Sequence, residues 1–272
     1  MATVGQIIFY GMVTLIVILA ALIILILSLT FSKTTVKVVS SNTKPVANLG
    51  KDQILSCYID AEIEANSLRE VLVIWENSRL GLVYRYENGA PALDKQHPQF
   101  KGRAQVFPDA VATGNAFLLL QGVRSSDEGE YTCSISSSVG QGNVTIQLRT
   151  AVFSAPTLEF SENTLTSKAS SWFPKPDVTW LNQTGDKLNA STSFTEVSAE
   201  RYRVLSKLPS ARVNESYSCR IENSLVVAVT EATITGTGVL GRTFFTFSIA
   251  STLLVSFHLN LMTSVLCIFF VV

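Results

Sequence analysis

The sequence predicts an all-β protein made of two tandem β-sandwiches, flanked by apolar N- and C-terminal segments. Three observations predict it. The central chain runs in short stretches of β-branched and aromatic residues broken by Gly, Pro, Asn and Asp, with no apolar stripe of helical length. All 21 basic and 21 acidic residues lie between Lys33 and Arg242, so both ends are uncharged. A Trp, Tyr and Cys set recurs about one domain length apart, as Trp75, Tyr131 and Cys133 and then as Trp180, Tyr217 and Cys219. The charged region suffices for two domains of about a hundred residues each.

The N-terminal run Ile7 to Phe31 carries no charge and ends two residues before Lys33. It exceeds the usual signal core of roughly 7–15 residues and lacks a basic leader, so signal peptide and uncleaved signal anchor both stand. Either places Lys33 onward outside the cell. The C-terminal run Thr243 to Val272 is long enough for a bilayer span of roughly 20 residues. Its rival is a lipid-anchor signal with Gly236, Thr237 and Gly238 as the small-residue attachment site. Four sequons, at Asn143, Asn182, Asn189 and Asn214, all fall in the external region and suit a glycoprotein of the secretory pathway. The expected division is 1–32 signal peptide or anchor, 33–150 first domain, 151–235 second domain, 236–242 stalk, and 243–272 span or lipid-anchor signal. The expected location is the external side of the cell membrane, single-pass with the N-terminus outside or lipid-anchored.

In the first domain the strands are expected at 34–40, 53–59, 71–75, 82–86, 103–107, 116–120, 131–137 and 144–148. The most specific signal is Asp127-Glu128-Gly129-Glu130-Tyr131-Thr132-Cys133. It is the D-x-G-x-Y-x-C pattern that closes variable-type immunoglobulin domains. In that fold Cys133 meets Cys57 across the two sheets, Trp75 packs over the bridge, and Tyr131 forms a corner with the backbone just upstream. Arg103 stands where such domains place a base-of-sandwich partner for the motif aspartate, so an Arg103–Asp127 ion pair is expected.

The second domain repeats the plan, with strands expected at 157–161, 165–169, 178–180, 202–208, 217–221 and 226–234. Trp180 is its core tryptophan, and Trp172-Phe173-Pro174-Lys175-Pro176 suits a constant-type domain. The partner of Cys219 should fall near position 167, which is Ser. Cys267 lies in the apolar tail. Cys219 is therefore expected to have no partner inside its own domain, leaving a thiol or a bridge between chains.

These motifs sit among segments that resemble the butyrophilin-like family of costimulatory and coinhibitory immune ligands. The segments are Met1 to Ile7, Ile54-Leu55-Ser56-Cys57, Leu80-Gly81-Leu82-Val83, Lys101-Gly102-Arg103-Ala104, Gly140-Gln141-Gly142-Asn143, Trp172-Phe173-Pro174 and Tyr217 to Asn223. The resemblance runs from the first residue through the second domain. It implies a cell-surface ligand on antigen-presenting or epithelial cells that binds a protein receptor on T cells and restrains their activation. Two departures accompany it: Ser167 in place of a cysteine, and an 18-residue Cys57–Trp75 interval that implies a longer loop at the membrane-distal tip.

A binding face is expected on the first domain. Val71, Val73 and Trp75 share the inward parity, so Leu72 and Ile74 point outward and that strand is apolar on both sides, where a half-solvated strand would alternate. Leu72, Ile74 and Tyr84, with Ser136 and Gln141 from the 136–141 loop, form the candidate receptor face. Burial under neighbouring side chains, or a homodimer contact, is the competing explanation. Homophilic adhesion is the rival function. Zero net charge without a basic cluster argues against nucleic acid. His97 stands alone in a loop, His258 lies in the apolar tail, and no metal, cofactor or nucleophile motif appears, so no enzyme and no cofactor are expected.

Overall fold

The structure, a computed structural model, describes residues 4–31, 36–60, 70–138, 140–198, 200–236 and 238–248. Helix α1 takes Val4–Phe31, 28 residues without a charge, or about 42 Å at 1.5 Å per residue. Among the described residues it is the one helix long and apolar enough to cross a membrane, a test that signal sequences also pass.

In the first domain the strands are β1 Val38–Val39, β2 Val46–Asn48, β3 Gln53–Leu55, β4 Tyr58–Ile59, β5 Leu72–Asn77, β6 Gly81–Glu87, β7 Ala90–Pro91, β8 Ala104–Val106, β9 Leu118–Leu120, β10 Gly129–Ser137 and β11 Gly140–Ala151. A six-stranded sheet in the order β2-β11-β10-β5-β6-β7 faces a three-stranded sheet β3-β9-β8, with the pair β1-β4 beside them. The alternation drives this. On β5 and β10 every second residue is buried, Val73, Trp75 and Asn77 against Tyr131, Cys133 and Ile135. The expected strand 53–59 is interrupted between β3 and β4. There the Ser56 hydroxyl turns to Ser40 and Ser41 instead, at 2.8 and 2.7 Å.

Cys57 and Cys133 form a disulfide with Cα atoms 6.4 Å apart. Trp75 lies directly beside Cys133 in the β5–β10 ladder and donates its indole N–H to the Ala116 carbonyl at 2.9 Å. The Tyr131 hydroxyl donates to the Asp127 carbonyl at 2.7 Å. At the base, Arg103 holds Asp127 with two bonds of 2.8 and 3.0 Å, and Asp127 also accepts from Gln99 and from the Arg124 N–H. Burial works to raise the Asp127 pKa. The Arg103 bonds, aided by Arg124 and Gln99, overcome it and hold the carboxyl below its ordinary value.

In the second domain the strands are β12 Thr157–Ser161, β13 Thr164–Trp172, β14 Asp177–Leu181, β15 Lys187–Leu188, β16 Ser191–Ser198, β17 Arg201–Leu208, β18 Ser216–Glu222, β19 Val226–Thr235 and β20 Gly238–Phe247. The sheets are β12-β13-β17-β16 and β15-β14-β18-β19-β20. Their core gathers Trp172, Trp180, Leu165, Ile221 and Cys219.

Residues 238–247, read from the sequence as the stalk and the start of the apolar tail, are strand here. They fold back as β20 in antiparallel register with β19 over ten pairs, from Thr235↔Gly238 to Val226↔Phe247. The physical reason is alternation: Val239 and Phe245 turn into the core, while Leu240, Arg242 and Phe244 stay exposed. Residues 249–272, which include His258 and Cys267, lie outside the described residues, as does the greater part of the long Cys57–Trp75 loop, 61–69.

The domains meet in a short, bonded joint. At the edge of the joint, within the first domain, the Glu128 carboxylate accepts from both the N–H and the hydroxyl of Thr150, at 3.0 and 2.7 Å. The Asn48 amide donates to the Phe153 carbonyl at 2.9 Å. Phe153 then stacks against Phe245 and Phe247, with ring centroids 5.2 and 5.6 Å away.

Candidate functional site: the open face of the first domain

The outer face of the six-stranded sheet is built by register. Ile74 lies opposite Ser134 on β10 and Arg85 on β6; Ser134 in turn lies opposite Asn143 on β11. One step along, Leu72 faces Ser136, which faces Gln141. The two serines are small, so the middle strand sinks between the aliphatic side chains of β5 and the amides of β11. The result is a shallow depression of about 460 Å³. Leu72 and Ile74 are half-buried on its wall.

Ser136 and Gln141 are not loop residues. They pair with each other near the end of a β10–β11 hairpin whose last pair is Ser137↔Gly140. Gly142 explains how the first strand reaches this hairpin. The Val36 N–H donates to the Gln141 carbonyl at 3.0 Å. A Cβ on Gly142 would sit 2.3 Å from the Val36 carbonyl oxygen, so only glycine fits there.

Tyr84 does not belong to the face. It lies opposite Trp75, is 5% exposed and packs in the core. The cause is a bulge: Trp75 pairs with Tyr84 but Glu76 pairs with Leu82, so Val83 is extra and both Val83 and Tyr84 turn inward. The β6 side chain beside Ile74 is Arg85, held by Glu87 at 2.8 Å. Sequence reasoning missed Arg85, Ser134 and Gly142, although counting outward from Ile74 across the Cys133–Trp75 pair reaches Ser134.

The sequons distribute unevenly. Asn143 is exposed on β11 at the rim of the depression. Asn189 and Asn214 are exposed on the second domain. Asn182 is half-buried, and its amide nitrogen donates to Asp186 at 3.0 Å. His97 accepts from the Gln99 N–H at 3.3 Å and caps a short turn.

The second domain holds an unbridged cysteine. Cys219 is fully buried opposite Trp180, with its sulfur 3.5 Å from the Ser167 hydroxyl. Burial pushes the thiol pKa up to about 11, with the Ser167 contact pulling weakly the other way. The alternative of a bridge between chains has no route in the folded domain, because the sulfur meets no surface. The Trp180 indole donates to the buried Ser206 hydroxyl at 2.9 Å, and Ser206 also meets Thr192 at 2.8 Å.

Comparison with known proteins agrees with this architecture. The immunoglobulin V-set family model matches residues 40–151, and the butyrophilin subfamily 3 member A2-like Ig-C domain model matches residues 155–229. The chain is 36% identical over 253 residues to V-set domain-containing T-cell activation inhibitor 1 of Rattus norvegicus, covering 89% of this chain and 88% of that protein. The Homo sapiens protein of the same name is 36% identical over 249 residues, with 86% of each covered. Among solved structures, the human B7-H4 IgV-like domain shares 34% identity, covers 43% of this chain and 98% of its own, and gives a TM-score of 0.39.

Proposed function

Because the chain belongs to the family of the V-set domain-containing T-cell activation inhibitors, we propose that it is a cell-surface ligand that binds a protein receptor on T cells and restrains their activation. The observation that carries the reading is the open outer face of β5, β10 and β11. Leu72 and Ile74 stand there on a strand whose other side is already filled by the core. A protein partner that covers them gains about 1.5–3 kcal/mol for each side chain taken fully out of water. Ser134, Ser136 and Gln141 supply hydrogen-bonding groups around that apolar centre, the arrangement of a protein-binding patch with a polar rim.

The sign of the signal comes from family membership. Presentation requires the first domain outside the cell, which α1 provides as a signal peptide or signal anchor, and residues 249–272, which carry no charge, serve as the membrane span. The domains then run 33–150 and 151–248.

The test displays the full chain on cells that are mixed with activated T cells. Leu72→Asp with Ile74→Asp should lower T-cell binding by about tenfold or more and relieve suppression of proliferation. Ser134→Arg, which fills the floor of the depression from a half-buried position on the outer face, should do the same and gives a second, independent variant. Variants that reach the surface, melt like the parent and still bind and suppress would overturn the reading. Cells that clump with each other through this face, without binding T cells, would instead mark homophilic adhesion.

A further inference from the structure

Along β5 the side chains that turn outward are Leu72, Ile74 and Glu76, and along β10 they are Glu130, Thr132, Ser134 and Ser136. Register places them. Glu76 lies opposite Thr132, so Glu130, the next outward position, is its diagonal neighbour, about 7–8 Å away in such a ladder. Gln147 stands opposite Glu130 on the other side. Both glutamates are exposed. At the other end Leu72 also walls a second depression of about 380 Å³, shared with Glu70 and Glu87. Acids therefore flank the apolar centre on both sides along the strand.

The basic side chains around this face are engaged elsewhere. Arg85, opposite Ile74, is held by Glu87 at 2.8 Å. Lys37 pairs with Asp60. Arg149, at the lower end of β11, donates to the Lys44 and Ser248 carbonyls at the joint. Arg79 turns to the inner side of the sheet. Its guanidinium lies 3.5 Å from where a Cβ on Gly129 would sit, a position with the inward parity of Tyr131, and it donates to the Glu128 carbonyl. Glu70, Glu76 and Glu130 enter no ion pair among the described residues. Diagonal like charges without a cation between them repel, and a cationic group from a partner relieves that repulsion on binding. A second copy of the chain would do the opposite. A two-fold pair lays the same patch against itself, and two sets of unpaired glutamates then meet, which costs affinity.

We propose that the receptor is basic around an apolar anchor: the anchor enters the depression between Leu72, Ile74 and Ser134, and Arg or Lys side chains meet Glu76 and Glu130 on one side of it and Glu70 on the other. The proposal rests on the reading of this face as the receptor site. Charges placed in this way act mainly on the rate of encounter and on the choice of partner.

The test puts the full chain in liposomes and follows the initial rate at which activated T cells capture them, in sucrose-balanced buffers of about 50 and about 300 mM salt. Glu76→Lys with Glu130→Lys should slow capture about tenfold or more at the lower salt, and the two Gln substitutions should give an intermediate loss. The control is Glu162→Lys with Glu231→Lys, exposed on the second domain, which changes net charge equally and should capture at least as fast as the parent. The higher salt should slow the parent about threefold or more and leave the Glu76/Glu130 double Lys variant nearly unchanged. All variants should melt like the parent, since the substituted side chains are exposed. If the Glu76/Glu130 variants capture like the parent while Leu72→Asp with Ile74→Asp does not, the basic partner is refuted and the receptor face stands. If the Leu72/Ile74 variant also captures like the parent, the receptor face itself falls and the proposal with it. Faster capture by the Glu76/Glu130 double Lys variant than by the control would mean an acidic partner. Parent liposomes that adhere to one another through this face would mean a second copy as occupant, and either result overturns the proposal.

Discussion

Ser167→Cys offers a quantitative test of the second domain. Ser167 and Cys219 are 52 residues apart in the chain and already touch, sulfur to oxygen at 3.5 Å, inside a dry core. Closing a loop of that length removes about 4 kcal/mol of unfolded-state freedom in the chain-entropy view. The contact must shorten to about 2.05 Å, which costs native-state strain. Engineered bridges often deliver less than the full value, and half leaves about 2 kcal/mol. For a domain of this size each kcal/mol moves the melting temperature by about 4–8 °C, so the variant should melt about 8–16 °C higher. The assay is calorimetry of the second transition with and without reductant, alongside mass mapping of the bridge. Reductant should erase the gain, and Cys219→Ser added to the variant should erase it in both conditions. A fully formed 167–219 bridge with a rise below about 2 °C would refute the reasoning. It would mean that the site has lost the shape of a disulfide site and is now packed around the serine.

Three further outcomes are expected from the geometry. Asp127→Asn leaves Arg103 without its partner at the base of the first domain and should cost about 3–5 kcal/mol in urea melts at pH 7. Because the folded Asp127 pKa is depressed, its contribution is complete above the ordinary value of about 3.9 and fades as pH falls through the folded value; the variant should lack that acid-dependent loss. The Cys219 thiol, raised to about 11 and buried, should resist maleimide at neutral pH until the second domain unfolds, so labelling before unfolding would contradict its burial. Thr145→Ala removes the Asn143 sequon at the rim of the depression and should leave T-cell binding equal or stronger; weaker binding would place the glycan inside the contact.

Much of the fold was legible because a few residues carry several constraints together. Cys57, Trp75, Tyr131, Cys133, Arg103 and Asp127 occupy spacings that suit one arrangement, and the structure brings them together. Leu72 and Ile74 were readable by parity alone. Tyr84 was not, since a bulge shifts parity and leaves no mark in a single sequence. β16 escaped notice because its residues are mostly exposed and polar, without an apolar alternation to betray a strand. β20 was misread for the opposite reason. Phe244 and Phe245 adjoin an uncharged tail, and composition merges them with it, although one faces out and the other packs inward. The depression on the outer face arises from side chains on three strands, so it exists only once the register is known.

The way β20 is attached bears on how this ligand responds to being pulled. With the proposed anchor in residues 249–272, a T cell that grips the first domain loads the molecule against that anchor, and the load enters the second domain at Ser248. From there the pairs with β19 open from Phe247↔Val226 toward Gly238↔Thr235. Each rung bears the tension alone and yields before the next is strained, as in a zipper, and not in concert as in a sheared sheet. Peeling all ten residues of β20 releases about 33 Å of chain. The disulfide-bridged first domain keeps its shape meanwhile, so traction lengthens the tether and spares the face that is being held.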